Sequence, residues 1–456
     1  MTLQGTYPPK GVLTSTRRYM MNIREEARKM KLVAPVLAAS SNEMRNGALR
    51  AIAEALTARK DEIFAANAQD CQAAAENGIA QAVMKRLVFN DAKLNDVCKG
   101  IDQLITLPDP IGKTLLKREL DAGLVLERVS VPIGVIGVIF EARPDALVQI
   151  STLCLKSGNC AILKGGKETA KTNRVLFTII HEAAVAAGLP ESCLLQAELH
   201  NEIDELLQCE KDVDLLIPRG SNQFVQYIMN NTKIPVMGHA DGICHIYLDR
   251  DVDMDMATDV ILDAKTQYTA ACNAVETLLI HREIAPVFLP RLARELKNAG
   301  VKLRGTQEAE DLIARSSEAA AQIEAVDIMT DDDFRTEYLD MIISIKIVAD
   351  VEEAIDHINR YGSHHTDSIL TRDDAVAARF MQMVDSAGVY RNCSTRFADG
   401  FRYGFGAEVG ISTSKLHARG PVGLDGLVTY KYLLNGSGQI VGDYASGRSH
   451  FHFRDL

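Results

Sequence analysis

The sequence of 456 residues lacks three features that mark membrane proteins, nucleic-acid-binding proteins and disulfide-stabilised scaffolds. No apolar run approaches the roughly 20 residues that a membrane helix needs, and the N-terminus has no basic and then apolar signal segment. The 50 Lys and Arg are outnumbered by 61 Asp and Glu, and the net charge of −11 argues against a nucleic-acid ligand. The nine cysteines include no Cys-x-x-Cys pair, which argues against a zinc site or a disulfide framework. We therefore expect a cytoplasmic protein without a metal ion.

The residues that are present predict an ordinary α/β chain of two or three domains, since 47% are hydrophobic and 24% charged. Residues 1–21 have little apolar periodicity and are expected to form a loose N-terminal arm. Helical periodicity begins at Ser41 and continues through about residue 106. The first of these helices is expected to bury Met44, Ala48, Ile52 and Leu56. Its outward face is expected to carry Arg45, Arg50, Glu54 and Arg59.

Two segments predict β ribbons. Residues 114–131 contain two apolar stretches around Asp121-Ala122-Gly123, which is a hairpin pattern, and residues 427–434 precede Asn435-Gly436, a second hairpin signal. An isolated hairpin is only marginally stable in water. We therefore expect the two ribbons to form a joint sheet that pairs with another subunit.

Three apolar runs predict buried strands that end in turns. The run 131–140 leads to Arg143 and Pro144, the run 159–164 ends at Lys164 before Gly165-Gly166-Lys167, and the run 214–217 leads to Gly220-Ser221. Strands buried on both faces are typical of a doubly wound parallel sheet. The second and third turns each open a helix, and the N-termini of helices bind phosphates.

Cys272 is the candidate nucleophile. It lies among small residues at a loop-to-strand junction, and the apolar run 275–280 that follows predicts a buried strand that anchors the loop. The alternative is a packed, inert cysteine, because free cysteines are often small buried hydrophobic residues.

The segments around Cys272 resemble the γ-glutamyl phosphate reductases of the aldehyde dehydrogenase superfamily. The resemblance is carried by the catalytic loop 264–279, by Phe140-Glu141-Ala142-Arg143-Pro144, and by the loops 389–400 and 410–421. It departs from the family at Tyr268-Thr269-Ala270, where a proline is expected. It implies a Rossmann-type dinucleotide-binding domain (22–113 and 132–245), an α/β catalytic domain (246–409) and oligomerisation β ribbons (114–131 and 426–445).

The resemblance also implies roles for individual residues. Contacts with NADP or NADPH are expected from Lys164 and Gly166, from Lys167 toward a 2′-phosphate, from Ser221 toward the pyrophosphate and from Glu337 toward the nicotinamide ribose. Contacts with an anionic substrate are expected from Arg143, Ser394, Arg396 and Arg419, because arginine binds carboxylate and phosphate through paired hydrogen bonds. The alternatives are a solvated lysine pair at a turn, a solvated acidic turn at Glu337, a surface ion pair at Arg143 and a structural loop arginine at Arg419.

By the same resemblance, the activity is NADPH-dependent reduction of L-glutamyl 5-phosphate through a cysteine thioester. The segment 235–245 lacks the water-activating glutamate of hydrolytic aldehyde dehydrogenases, which suits an enzyme that must protect a thioester. His245 in that segment is expected to be structural. The expected partners are a small-molecule substrate, further copies of the chain in a dimer or tetramer, and glutamate 5-kinase as a separate chain. An ordinary NAD-dependent aldehyde dehydrogenase and a non-catalytic binding subunit remain alternatives.

Overall fold

The computed structural model describes residues 22–79, 81–199, 201–238, 241–315 and 327–456, so the predicted arm at 1–21 lies outside the described residues. Five helices come first among them: α1 (Ile23–Ala38), α2 (Asn42–Ala58), α3 (Lys60–Glu76), α4 (Gln81–Leu87) and α5 (Asp91–Thr106). Side-chain caps fix where several of them begin. Ser41 Oγ accepts a hydrogen bond from Met44 N at 3.2 Å at the start of α2, as a serine before a helix predicts.

Helix α2 corrects two predictions about which side chains face the core. Ala48, Ile52 and Leu56 are buried as predicted, but Met44 is 43% exposed. Arg45, which was expected to face outward, is 1% exposed, and its Nη2 lies 2.7 Å from both carboxylate oxygens of Asp109. A buried arginine is stable when a carboxylate satisfies it. Periodicity alone did not predict this partner, because Asp109 lies in the turn after α5.

The predicted hairpin and the first parallel sheet follow. The hairpin consists of β1 (Thr114–Asp121) and β2 (Leu124–Pro132). The sheet contains β3 (Val135–Phe140), β4 (Cys160–Lys164), β5 (Leu194–Ala197) and β6 (Leu215–Arg219) in the order β5-β4-β3-β6, all parallel. Its strands alternate with α6 (Pro144–Lys156), α7 (Ala170–Ala186), α8 (Asn201–Leu207) and α9 (Asn222–Asn231). The three buried strands predicted from apolar runs are therefore confirmed, but the first begins at Val135, because residues 131 and 132 belong to β2.

A second parallel sheet begins at Cys244. Its seven strands are β7 (Cys244–Leu248), β8 (Val275–His281), β9 (Lys302–Gly305), β10 (Asp327–Ile328), β11 (Ile342–Val348), β12 (Thr366–Leu370) and β13 (Gly388–Arg391). They lie in the order β10-β9-β11-β8-β7-β12-β13. The accompanying helices are α10 (Met254–Thr266), α11 (Ala285–Asn298), α12 (Gln307–Arg315), α13 (Val351–Tyr361) and α14 (Asp374–Met383). Two parallel sheets with helices confirm the predicted α/β class.

The C-terminal part contains β14 (Gly410–Ser412), β15 (Gly420–Val422), β16 (Val428–Asn435), α15 (Val441–Ala445) and β17 (Arg454–Asp455). The expected second hairpin at 426–445 is wrong, because β16 pairs along its whole length with β2 and the chain then enters α15. The joint sheet is nevertheless formed, in the order β16-β2-β1-β17. No helix among the described residues has both the length and the apolar character needed to cross a membrane.

Candidate active site

A cavity of about 1110 Å³ lies where the two parallel sheets meet. One wall comes from the residues at the carboxyl ends of β3 and β6, where ligands of parallel α/β sheets usually bind. The other wall comes from the loop before β8, the segment 335–339 before β11 and the residues after β13. The predicted residues Cys272, Arg143, Ser221, Glu337 and Arg396 all line this one cavity.

Cys272 lies at the predicted loop-to-strand junction, between α10 and β8, and is half-buried. Its Sγ lies 3.2 Å from Nε2 of His365, a buried residue whose Nδ1 lies 2.9 Å from Thr366 Oγ1. A neighbouring imidazole can accept the thiol proton and then stabilise the thiolate. The pair has the geometry of an activated nucleophile.

Close packing holds the Cys272 loop in place. A Cβ added to Gly242 would lie 2.1 Å from the carbonyl oxygen of Cys272, so only glycine fits there. Asn273 Nδ2 donates a hydrogen bond to the carbonyl of Ala398 at 2.8 Å. Among the described residues, nothing accepts a hydrogen bond from the backbone N–H of Cys272 or Asn273. These two donors are therefore available to an oxyanion that forms beside Sγ.

Two arginines whose guanidinium groups lack a hydrogen-bonded partner among the described residues line the same cavity. Within the described part of the chain, neither the Arg143 nor the Arg219 guanidinium makes a hydrogen bond or a salt bridge. Burial lowers the pKa of Arg219, and the positive charge of Arg143 lowers it further. Glu408 and Cys272 raise this pKa in part. Two neighbouring guanidinium groups form a strong site for an anion.

A different charge pattern surrounds Arg396. Its Nε donates a hydrogen bond to Gln267 Oε1 at 3.0 Å, and burial lowers its pKa. Arg402 lies near it and pairs with Asp399 at 3.5 Å. The predicted substrate residue Ser394 is buried and accepts a hydrogen bond from the backbone N of Arg396 at 3.2 Å. Ser394 thus holds the backbone of Arg396 in place.

Arg419, like Ser394, is a predicted substrate residue that the structure places outside the cavity lining. Its Nη2 lies 3.1 Å from the carbonyl and 3.2 Å from the carboxylate of Asp385. Lys415 contacts the same carboxylate at 2.5 Å. Hydrogen bonding by Lys415, and secondarily by Arg419, lowers the pKa of Asp385. Arg419 anchors the loop between β14 and β15, and its role toward a substrate stays a prediction.

The predicted dinucleotide residues of β4 lie at the same sheet edge as the cavity, because Lys164 is in register with Ile139 near the end of β3. Lys164 is buried, and its Nζ donates a hydrogen bond to the Gly165 carbonyl at 2.7 Å; burial lowers its pKa. A Cβ on Gly166 would lie 2.6 Å from the Glu168 carboxylate and 3.1 Å from the Ala142 nitrogen. Lys167 is exposed in the turn before α7. These three residues do not line the cavity itself.

Ser221 and Glu337 are the predicted dinucleotide residues that do line the cavity. Ser221 is the N-cap of α9, and its side chain makes no capping bond. Burial raises the pKa of the neighbouring Glu141, and the backbone N–H of Ser221 lowers it. The Glu141 carboxylate therefore already lies near a backbone N–H at the start of α9. A phosphate bound at this helix N-terminus would accept a hydrogen bond from the same region.

Sequence reasoning missed several residues of this site, among them His365, Arg219 and Asp241. Arg219 could have been found, because it ends a predicted buried strand directly before the Gly-Ser turn. Asp241 comes from the segment that lacks the hydrolytic glutamate. The expectation that His245 is structural fits its place in the fold: it is fully buried, with Nδ1 2.9 Å from Asp367.

The fold and the site together place the chain in a known class. The family model described as "Aldehyde dehydrogenase family" matches residues 12–326. The chain belongs to this family, whose members use a nicotinamide cofactor and act on small molecules.

Within this family, the chain is closely similar in sequence and structure to proteins named γ-glutamyl phosphate reductase. The chain is 56% identical over 431 residues to a γ-glutamyl phosphate reductase of Acetivibrio thermocellus, covering 94% of this chain and 97% of the relative. It is 54% identical to that of Pelotomaculum thermopropionicum, covering 96% and 98%. The crystal structure of γ-glutamyl phosphate reductase from Thermotoga maritima matches with a TM-score of 0.88 at 39% identity, covering 92% of this chain and all of that one. The resemblance to γ-glutamyl phosphate reductases inferred from the loops thus extends over nearly the whole chain.

Proposed function

We propose that the chain reduces L-glutamyl 5-phosphate to L-glutamate 5-semialdehyde and phosphate with NADPH, the second step of proline biosynthesis from glutamate. The observation that carries this proposal is the contact of Cys272 with His365 in an arginine-lined cavity. The names of the near relatives support the same reaction. Residues 22–113 and 132–245 would bind the dinucleotide, and residues 246–409 would carry the nucleophile.

The first chemical step is attack of the thiolate on the γ-carbonyl carbon. His365 Nε2 takes the proton from Sγ, the S–C bond forms, and the C–O bond to phosphate breaks, which leaves a thioester and inorganic phosphate. The backbone N–H groups of Cys272 and Asn273, assisted by Arg143, stabilise the tetrahedral oxyanion. When NADPH is bound, it supplies a hydride to the thioester carbonyl. The oxyanion then re-forms the carbonyl of the aldehyde and expels the Cys272 thiolate.

The residues at the carboxyl ends of β3, β4 and β6 fit a dinucleotide. Gly166 leaves space that a Cβ would fill, and the N-terminus of α9 opens into the cavity at Ser221. We assign the ribose of the adenosine to Lys164, the 2′-phosphate to Lys167 and the nicotinamide ribose to Glu337. The exposed cation of Lys167 supports NADPH over NADH.

The charges in the cavity support an orientation for the substrate. The guanidinium groups of Arg143 and Arg219 make no hydrogen bond or salt bridge within the described residues, which suits the dianionic phosphoryl group. Arg396 lies beside Asp399, and a cation next to an anion suits the α-carboxylate and α-ammonium of an amino acid. Ser394 supports Arg396, and Arg419 acts through the loop that it anchors to Asp385.

The reaction can be tested in reverse, with glutamate 5-semialdehyde, NADP and phosphate, while the absorbance of the reduced cofactor is followed. Cofactor reduction that needs both phosphate and Cys272, with Cys272→Ala as the inactive variant, supports the proposal. Reduction without phosphate would identify a hydrolytic or simple aldehyde dehydrogenase. An absence of reduction under every condition would favour a binding subunit.

The orientation has its own test in the same assay. Arg219→Met should raise the KM for phosphate and leave the KM for the semialdehyde nearly unchanged. Arg396→Met should do the opposite, so each variant is the control for the other. Equal effects of both variants on both constants would contradict the assignment.

We also propose that the chain is cytoplasmic and forms a dimer or tetramer through the sheet edge at β16, with glutamate 5-kinase as a separate supplier of the substrate. Tyr430, Tyr432 and Leu434 are at least half exposed on this edge strand. Exposed apolar groups on an open strand edge are unusual unless they are covered by a partner. Tyr432→Lys should lower the mass measured by light scattering; an unchanged mass would exclude this edge.

A further inference from the structure

An ion pair is buried next to the Cys272 loop, outside the residues that line the cavity. Lys265 lies in the last turn of α10 and Glu276 is the second residue of β8, so the two residues flank the loop 267–274. Their side chains are 0% and 1% exposed, and Lys265 Nζ lies 2.7 Å from Glu276 Oε2. The pair therefore joins the two elements between which Cys272 is carried.

Stability alone is a weak reason for such a pair. Burial raises the pKa of Glu276 to about 7 and lowers that of Lys265, while each partner opposes the shift of the other. Replacing a buried ion pair by apolar residues of similar volume is often neutral or stabilising. A contact made by the second oxygen of Glu276 gives the pair a more specific role.

Glu276 Oε1 accepts a hydrogen bond from the backbone N–H of Leu339 at 3.3 Å. Leu339 has a φ of 52°, a left-handed conformation that disfavours residues with a Cβ. Its side chain is 45% exposed, so it is not held by burial in the core. The hydrogen bond from the buried carboxylate is thus a specific restraint on this strained turn.

The strained turn belongs to the segment 335–339, which lines the cavity together with Cys272. Tyr338, the residue before Leu339, is also anchored, because its hydroxyl lies 2.8 Å from Ser344 Oγ on β11. Glu337, assigned above to the nicotinamide ribose, precedes these two anchored residues. Glu276 therefore connects the loop of the nucleophile with the segment assigned to the cofactor.

We propose that Glu276 is a positioning residue that sets the placement of the segment 335–339 relative to Cys272, with Lys265 as its buried counterion. The link to the cofactor rests on the function proposed above. Loss of the Leu339 hydrogen bond should weaken NADPH binding and slow turnover, while the reactivity of the Cys272 thiol changes little.

Two double variants separate positioning from stability. Lys265→Met with Glu276→Leu and Lys265→Met with Glu276→Gln both remove the buried charges, but only the second retains an oxygen acceptor for Leu339. Both should melt near the wild-type temperature. The first should raise the KM for NADPH about tenfold, as expected for a lost hydrogen bond to a carboxylate, and the second should stay within about threefold of wild type. Equal KM values for the two folded variants would overturn the proposal.

Hydrogen exchange tests the contact without cofactor or substrate. In the wild-type chain the Leu339 amide should exchange at least about tenfold more slowly than the Asp340 amide, and the protection should vanish in Lys265→Met with Glu276→Leu. A fast Leu339 amide in the wild type would contradict the proposal even if a double variant fails to fold. If the Leu339 amide is protected but the chain does not bind NADPH, the proposed function is refuted, while the contact between Glu276 and Leu339 is supported.

Discussion

The contact between His365 and Cys272 makes the most direct prediction. Glutamine at position 365 keeps a polar group of similar reach but cannot be protonated, so His365→Gln removes both the proton acceptor and the positive charge that results. Two unit charges separated by the observed 3.2 Å attract by about 5 kcal/mol at an effective dielectric constant of about 20. Desolvation of the buried imidazolium offsets about half of this attraction or more. A net loss of about 1.4 to 2.8 kcal/mol corresponds to a tenfold to hundredfold slower reaction of the Cys272 thiol.

We therefore expect iodoacetamide to alkylate Cys272 about ten to a hundred times more slowly in His365→Gln at neutral pH, and kcat to fall by about a hundredfold or more. His181→Gln is the matched control, because His181 lies on α7, does not line the cavity, and has its Nε2 2.7 Å from the carbonyl oxygen of Glu191. The alkylated residue is identified by mass spectrometry of the peptide. Wild-type alkylation and turnover in His365→Gln would refute the idea that this histidine activates the thiol.

Four further predictions follow from named contacts. Gly242→Ala should leave a folded chain with little activity, since its Cβ would overlap the carbonyl of Cys272; full activity would contradict the close approach. Arg219→Lys should still bind phosphate, but with a KM raised about tenfold, because lysine cannot form the paired hydrogen bonds of arginine. Lys167→Gln should lower the NADPH to NADH ratio of kcat/KM about tenfold, with no change in the rate with NADH; an unchanged ratio would remove Lys167 from the cofactor site. Burial raises the pKa of Glu276 from about 4.5 to about 7, so the folded chain holds this proton more tightly than the unfolded chain. The free energy of unfolding should therefore fall by up to about 3 kcal/mol as the pH rises through that window, and the fall should be absent from Lys265→Met with Glu276→Gln.

The sequence was informative where the signal is local. The run 275–280 lies within a fully buried strand, and Cys272 lies at the junction before it, because an apolar stretch of that length after small residues has few other arrangements. The ends of β3, β4 and β6 were also predicted, since a buried strand that stops at glycine or proline defines a sheet edge. Those three ends bring Arg143, Lys164 and Ser221 to one side of the first sheet.

Contacts between distant parts of the chain were not predictable in this way. His365 and Cys272 are 93 positions apart, and their meeting depends on how the start of β12 packs beside the loop before β8. The burial of Arg45 was unpredictable for the same reason. Helical periodicity shows which side chains share a face, but not that Arg45 forms a salt bridge with the distant Asp109. The Asn435-Gly436 pair predicted a hairpin that is not formed, because β16 pairs along its whole length with β2 instead of with a strand after the turn.

The last residues of the chain affect how the antiparallel sheet can grow. Residues 452–456 bond to the outer edge of β1, and Arg118 pairs there with Asp455. This tail covers residues 117–120 of β1, so the longest open edge of the described sheet is that of β16. A sheet with one long open edge can join one other sheet there. By covering part of β1, the tail limits strand pairing on that side of the sheet, which favours a closed pair of sheets over an open-ended fibre.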